Sequence, residues 1–303
     1  MQAIFGILAV FLAVFGGFLL ERGSLMVLVQ PAELLIVGGA AAGIVAVANP
    51  PHVIRQMLEG ARAAFRPATR TPQVFLRHIR MLYEVFCFVQ RAGAMELEPD
   101  IEDPPKSRIF SNYPEFLRDT VTRDFVCDSL RMLVLGVTSS QELDNLLEFD
   151  IDVQRRGRRE PATALHSVAD ALPGLGIVAA VLGVVITMQA IGGAPETVGQ
   201  KVAAALVGTF LGILLCYGVV GPIAARIEKL ADTETQFLQV LRIAMVAFAR
   251  GSSPILAIEY ARRSIPLELR PSFVDMETTI RRDAKVPTVN KPAEAPNGEV
   301  QPA

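Results

Sequence analysis

The stretch Ala171–Ile191 reads ALPGLGIVAAVLGVVITMQAI and holds no Asp, Glu, Lys, Arg or His. At about 1.5 Å per residue, a helix of this length reaches about 30 Å, the hydrocarbon thickness of a bilayer. Three further runs are equally free of charge: Met1–Leu20, Leu34–Ala48 and Val202–Ile223. The second is rich in small residues (Gly38, Gly39, Gly43) and stops at Asn49-Pro50-Pro51. A cleaved leader carries a basic segment ahead of its apolar core, and none precedes the first run, which is therefore expected to remain as a span. The expectation is an all-α integral membrane protein with four transmembrane helices.

The connections between spans are unequal. Spans one and two, and spans three and four, are joined by short segments carrying only Arg22 and Lys201 as basic residues. A long polar segment separates spans two and three, and another follows span four. Basic residues near span ends lie on these long segments: Arg55, Arg62, the Arg155-Arg156-Gly157-Arg158-Arg159 cluster, Arg226 and Lys229. The positive-inside bias puts both long segments and both termini in the cytoplasm. Composition agrees, with 51% hydrophobic and 20% charged residues against about 25% charged in soluble domains. The 29 basic and 31 acidic residues leave net charge −2, without the basic excess of a nucleic-acid binder. Cys87, Cys127 and Cys216 form no CxxC, and with only three histidines they suggest neither a disulfide framework nor a zinc site.

The long segment reads as helical. Val53, Met57, Leu58, Ala61 and Phe65 recur at helical spacing over His52–Phe65, bounded by Pro67 and Pro72. Gln73–Arg91 has a wide apolar face, Pro114–Leu135 forms a third helix, and Ser139 with Glu142 is a capping box opening a fourth. Between them, Glu96, Glu98, Asp100, Glu102 and Asp103 make an acidic stretch closed by Pro104-Pro105. Span four continues without a breaker to about Ala249, and from about Asp283 the chain turns Pro-, Ala- and Glu-rich, as disordered tails do. The expected division is 1–50 for spans one and two, 51–170 for a cytoplasmic helical domain, 171–223 for spans three and four, 224–282 for a helical extension and 283–303 for the tail.

Spans three and four carry no ionisable residue at mid-depth, so a proton path through them needs an acid from a partner chain. Their polar groups are Thr187, Gln189, Thr209 and Tyr217, and a membrane Thr often bonds its own backbone. Pro173 is the sharpest position. It reads either as a helix start, where its missing N–H is harmless, or as a coupling element beside Gly174 and Gly176, which open room for another helix. Gly39 with Gly43, and Gly208 with Gly212, are small-xxx-small pairs suited to helix packing. Glu33 lies at the outer edge of span two, where an acid is either solvated or functional, and His166 reads as a solvated interfacial group.

Particular strings then narrow the class. Leu28-Val29-Gln30-Pro31-Ala32-Glu33, Asp100-Ile101-Glu102-Asp103-Pro104, Tyr113-Pro114, Leu172 to Val181, Gly208 to Leu214, Gly221-Pro222 and Arg270-Pro271-Ser272-Phe273 together resemble the MotA-type stator branch of the MotA/TolQ/ExbB family. The resemblance runs in order through residue 282. It implies a flagellar-motor stator subunit and not an enzyme, with no cofactor, H⁺ as the coupling ion, and five copies around a dimer of MotB. It implies that MotB supplies the membrane aspartate and that the cytoplasmic part pushes on the rotor switch protein of the C-ring. Carried over to this chain, Pro173 sits beside the partner's aspartate, Thr209 lines the ion path, Pro222 ends span four and Asp170 stands near the cytoplasmic mouth, with Tyr217 grouped on the same path. Arg91 and Glu98 face the rotor, although the family's basic position aligns with Gln90 and its arginine comes one residue later. The long first cytoplasmic segment resembles proton-driven rather than sodium-driven members, and four spans weigh against the three of ExbB and TolQ. A non-conducting membrane adaptor is the rival from another class. A membrane hydrolase is weaker still, since no Ser/His/Asp grouping, HExxH motif or paired intramembrane acids are present.

Overall fold

In a computed structural model, residues 2–67, 69–136, 139–189, 191–192 and 194–283 are described, and the expected tail falls almost wholly outside them. The described residues form helices α1 (Gln2–Leu20), α2 (Leu25–Leu28), α3 (Pro31–Ala48), α4 (Pro51–Ala64), α5 (Pro72–Ala92), α6 (Glu98–Glu102), α7 (Pro114–Arg118), α8 (Thr120–Leu135), α9 (Ser140–Met188), α10 (Pro195–Leu215), α11 (Gly221–Ala249), α12 (Pro254–Ser264) and α13 (Phe273–Asp283). Four segments are long and apolar enough to span a bilayer: Ala3–Leu20, Leu25–Ala48, Ser140–Met188 and Pro195–Ala249. The chain is thus an all-helical, multi-pass membrane protein.

Local chemistry sets the ends of these helices. Proline opens α3, α4, α5, α10 and α12, where its fixed φ suits the first turn and its missing N–H costs nothing. The capping box holds: Ser139 N–H donates to Glu142 Oε2 at 2.8 Å, and Glu142 N–H donates back to Ser139 Oγ at 3.2 Å. Gly136, at φ 61°, ends α8 in the left-handed conformation.

Two features differ from the sequence expectation. The helix opened by Ser139 does not stop before span three but runs through it as one element of 49 residues, about 70 Å long. Pro173 is therefore no helix start. It lies deep inside α9 with Pro161, and each removes one i→i−4 hydrogen bond from an otherwise continuous ladder. The expected Pro114–Leu135 helix is two helices, because the Asp119 carboxylate turns back to accept the Thr122 N–H at 3.2 Å and caps α8. Cys216–Val220 forms a π turn between α10 and α11, Pro222 lies in the first turn of α11, and α11 continues to Ala249 as the sequence suggested.

The chain divides into two compact units. Unit 1 contains the residues up to Thr69 together with Asp152–Thr235, and unit 2 contains Arg70–Ile151 with the described residues from Gln236 onward. In unit 1, Val37, Ala41, Val53, Met57, Val168, Leu172, Ala179 and Cys216 form a core of small and branched side chains. Ion pairing supports it: the Arg159 guanidinium donates to both oxygens of Asp232 at 2.9 Å, tying α9 to α11. Unit 2 has a larger, aromatic core that includes Phe75, Phe86, Phe88, Phe110, Phe116 and Phe237. The Phe86 and Phe248 rings stack at 4.3 Å within it. Large apolar side chains on the spans, among them Phe5, Leu12, Val47, Val181 and Ile186, stay exposed on the single chain, as a lipid- or partner-facing surface requires.

Candidate functional site

Two helices of unit 1, α9 and α10, approach until their backbones touch. A β-carbon placed at Gly176 would lie 2.7 Å from the Gly208 carbonyl oxygen, and one at Gly212 would lie 2.5 Å from the Leu172 carbonyl oxygen. At Gly183 it would meet Ala205 Cβ at 2.5 Å. Gly176 and Gly183 on α9 and Ala205, Gly208 and Gly212 on α10 therefore form one seam that admits no larger side chain. The sequence pointed to Gly208, Gly212 and Gly176 but missed Gly183 and Ala205, whose only signal is smallness within an apolar run. Gly39 and Gly43 behave differently: a β-carbon at either finds no atom within 4 Å, so this pair packs against nothing among the described residues.

The polar groups gather on the seam. Thr209 Oγ1 donates to the Gly176 carbonyl at 3.4 Å, a contact between helices rather than the local back-bond that Thr187 makes to Gly183 at 2.8 Å. Gly176 lies three residues after Pro173, and Leu172, whose carbonyl meets Gly212, immediately precedes it. Because Pro173 has no N–H, the carbonyl of Ala169 one turn earlier lacks its usual helical donor. Pro173 is half-buried, and beside it Asp170, Gly174, Ile177, Val178 and Val181 form an exposed stripe along α9. Tyr217, 73% exposed, and Pro222 lie farther along, at and after the π turn, and both face outward. The structure thus joins Pro173, Thr209, Gly208 and Gly212 in one place, while Asp170 lies one turn away on α9.

Glu33 departs most from expectation. It lies in the first turn of α3, at the start of the second span, and its side chain is buried to 7% exposure. Its Oε2 is buried without a hydrogen-bond partner and lies where a Gly208 β-carbon would come within 2.5 Å. The apolar residues Leu25–Val29 ahead of Glu33 were the available signal.

Unit 2 carries the other candidate residues. Gly93, at φ 93°, turns the chain after α5, so Arg91 in the last turn of α5 and Glu98 at the start of α6 flank one corner. Both are exposed, as is Gln90. The acidic stretch around them is not uniformly solvated, because Asp100 is 2% exposed. Burial pushes its pKa up, but Ser107 and the Arg108 side chain and N–H outweigh this and hold it below the usual carboxylate value. Arg108 Nη2 reaches Asp100 Oδ2 at 2.6 Å and the Glu96 carbonyl at 3.1 Å, fixing the corner from behind. On α5, burial raises the pKa of Tyr83 and Cys87, whose hydroxyl and thiol are hydrogen-bonded one turn below Arg91. His78, 3% exposed, bonds the Val74 carbonyl through Nδ1, and burial lowers its pKa. Among the described residues, no grouping of His, Cys, Asp and Glu could hold a metal.

Known proteins resemble this chain along nearly its whole length. Residues 4–93 match the family model described as Motility protein A N-terminal, and residues 117–239 match the MotA/TolQ/ExbB proton channel family. Motility protein A of Salmonella typhimurium is 35% identical over 281 residues, covering 93% of this chain and 95% of that protein. Chemotaxis protein LafT of Vibrio parahaemolyticus is 36% identical over 277 residues, covering 91% and 97%. The fold agrees with the structure of C. jejuni MotAB (TM-score 0.73, 16% identity, 90% and 98% covered) and with the flagellar MotAB stator complex of Bacillus subtilis (TM-score 0.70, 20% identity, 88% and 96% covered). This chain therefore belongs to the motility protein A group of the MotA/TolQ/ExbB proton channel family, a family of ion-channel subunits and not of enzymes.

Proposed function

We propose that the chain is a stator subunit of the flagellar motor, which with a MotB-like membrane protein conducts protons and converts their flow into torque on the rotor. One observation carries the mechanism: Pro173 interrupts α9 next to the Gly176–Thr209 contact, beside an exposed apolar stripe, in two spans that hold no acid at mid-depth. The stripe is the surface on which the partner's membrane helix packs, placing its aspartate beside Pro173. Taking a proton removes the desolvation penalty of that buried charge and changes which packing on α9 and α10 is favoured. The work available is about 2.3 kcal/mol per charge per 100 mV. Several copies, five by the family resemblance, surround a partner dimer and step around it.

In this reading both termini and the segments carrying Arg91 and Glu98 are cytoplasmic. Asp170 stands at the inner end of the path, Tyr217 and Pro222 line its continuation, and Gly39 and Gly43 face a neighbouring copy. Arg91 and Glu98 engage the rotor switch protein. Exposed charges of this kind contribute little stability, about 0–1 kcal/mol per pair, but suit repeated weak engagement. The test is deletion of the gene followed by complementation. Loss should leave flagella that assemble but do not turn. The wild-type chain should restore swimming, and Pro173→Ala should reach normal membrane levels without restoring it. Normal swimming after deletion, in a strain with no second stator set, contradicts the reading.

A further inference from the structure

A cleft of about 510 Å³ opens in unit 1 between the end of α3, at Ala48 and Asn49, and α9, where Arg155, Arg156 and Arg159 line it. Ala48 is exposed and closes the second apolar segment, so the cleft begins where hydrocarbon gives way to the headgroup layer. The three arginines are unequally engaged. Arg159 donates to both oxygens of Asp232 at 2.9 Å and lies 3.7 Å from Glu228. Arg155 meets Asp152 only at 3.6 Å, beyond hydrogen-bond distance. No acid among the described residues pairs with Arg156, and Arg155 and Arg156 are both exposed. Two permanently charged, planar forks are thus available, and each matches two phosphate oxygens at once. The hydroxyls of Thr163 and Ser167, farther along the same wall, donate to their own helix at 3.3 and 3.2 Å. The Asn49 amide donates to the Val45 carbonyl at 3.1 Å and keeps a second N–H. Glu160 also lines the cleft and adds one negative charge. Two available cations against one carboxylate suit a singly charged phosphodiester better than a doubly charged phosphate, and the carboxylate accepts from hydroxyls on the same ligand.

We infer that this cleft binds the headgroup of an anionic glycerophospholipid of the phosphatidylglycerol class, drawn from the leaflet that meets the end of span two. Arg155 and Arg156 hold the phosphodiester with the free Asn49 N–H, and Glu160 accepts from the headgroup glycerol. The acyl chains leave the cleft past Ala48, along α3. Basic pockets beside membrane helices take anionic headgroups in this way, and one bound lipid would clamp the end of span two to α9.

The full complex of this chain with its MotB-like partner, held in a neutral detergent, tests the site by native mass spectrometry. Dioctanoyl phosphatidylglycerol should bind saturably, one molecule per chain, and at least tenfold more tightly than dioctanoyl phosphatidylcholine. Glycerophosphoglycerol, the same headgroup without acyl chains, should also bind at least tenfold more weakly. Arg155→Gln with Arg156→Gln should lower the phosphatidylglycerol affinity at least tenfold. Arg55→Gln with Arg62→Gln removes the same charge outside the cleft and should leave the affinity within twofold of wild type. Equal binding of the two lipids overturns the proposal, as does equal binding of the free headgroup, which would make the ligand a soluble phosphodiester. Absence of saturable binding also overturns it, as when a second copy of the chain fills the cleft. So do unchanged affinity in the cleft variant, an equal loss in the control variant, and failure of the cleft variant to assemble, which would mark its arginines as structural. No ion flux is read, so failure of the stator reading leaves each of these outcomes distinct.

Discussion

Gly212 rests on the carbonyl oxygen of Leu172, so closely that a β-carbon would stand 2.5 Å from it. Backbone cannot move aside as a flexible side chain can, so Gly212→Ala forces α10 away from α9 at the turn that carries Pro173. Overpacking of this kind costs about 1–3 kcal/mol. We expect Gly212→Ala to abolish swimming, and Gly176→Ala to do the same for the same reason. At Gly157, elsewhere on α9, a β-carbon would find no atom within 4 Å. Gly157→Ala should leave swimming intact and raise thermal stability by about 0.5–1 kcal/mol through helix propensity. Swim-plate diameters and melting curves of the solubilised chain decide both points.

Unit 2 depends on a largely buried ion pair. Arg70 Nη2 meets Asp119 Oδ2 at 2.6 Å, and the guanidinium lies 3.9 Å over the Phe237 ring. Asp119 also caps α8, so its loss removes a helix cap and one hydrogen-bonded ion pair of Arg70. Asp119→Ala should destabilise the chain by about 1–3 kcal/mol, measured by urea denaturation. A loss under about 1 kcal/mol would refute this.

The same unit should show acid sensitivity. Burial raises the Asp119 pKa, but hydrogen bonds from Thr122 and Arg70 and the Arg70 charge bring it below the usual value, and Asp100 shows the same net direction. Both folded pKa values lie below the unfolded one, near 3.9. Their stabilisation is therefore complete above about pH 4 and is lost as pH falls through the depressed folded values. Urea midpoints should be flat from pH 7 to about pH 5 and drop steeply below pH 4, with a shallower drop in Asp100→Asn. A midpoint that rises on acidification would contradict the assignment.

Much of this architecture was legible in the sequence because hydrocarbon imposes a length rule. Four uncharged runs gave four spans, and the Ser139–Glu142 spacing gave a helix start that the structure contains. The rest depended on tertiary context. A proline shortly after Asp170 reads locally as a helix start, and only the continuous helix from Ser140 makes it an interruption. The break at Asp119 follows the same logic, since a capping carboxylate leaves little trace in composition. The seam was half visible: Gly208 and Gly212 follow a spacing rule, whereas Gly183 and Ala205 matter through what lies opposite. For Glu33 and Asp100 sequence alone leaves open whether the acid is solvated, because burial depends on the helix packed above them.

The corner bearing Arg91 and Glu98 should act through charge rather than fold, because both side chains are exposed. Arg91→Glu with Glu98→Lys should abolish swimming while leaving membrane level and the melting curve within about 0.5 kcal/mol of wild type. Compensating charge reversals on the rotor switch protein should recover part of the motility. If the double variant swims normally, this corner is not the rotor contact.

The seam of α9 and α10 should conduct only when another chain brings its acid beside Pro173. Proton uptake should be measured in vesicles holding equal amounts of this chain alone, or of this chain with its MotB-like partner, under the same membrane potential. Uptake is expected with both chains and only background with one. Equal uptake by the single chain would contradict the shared path.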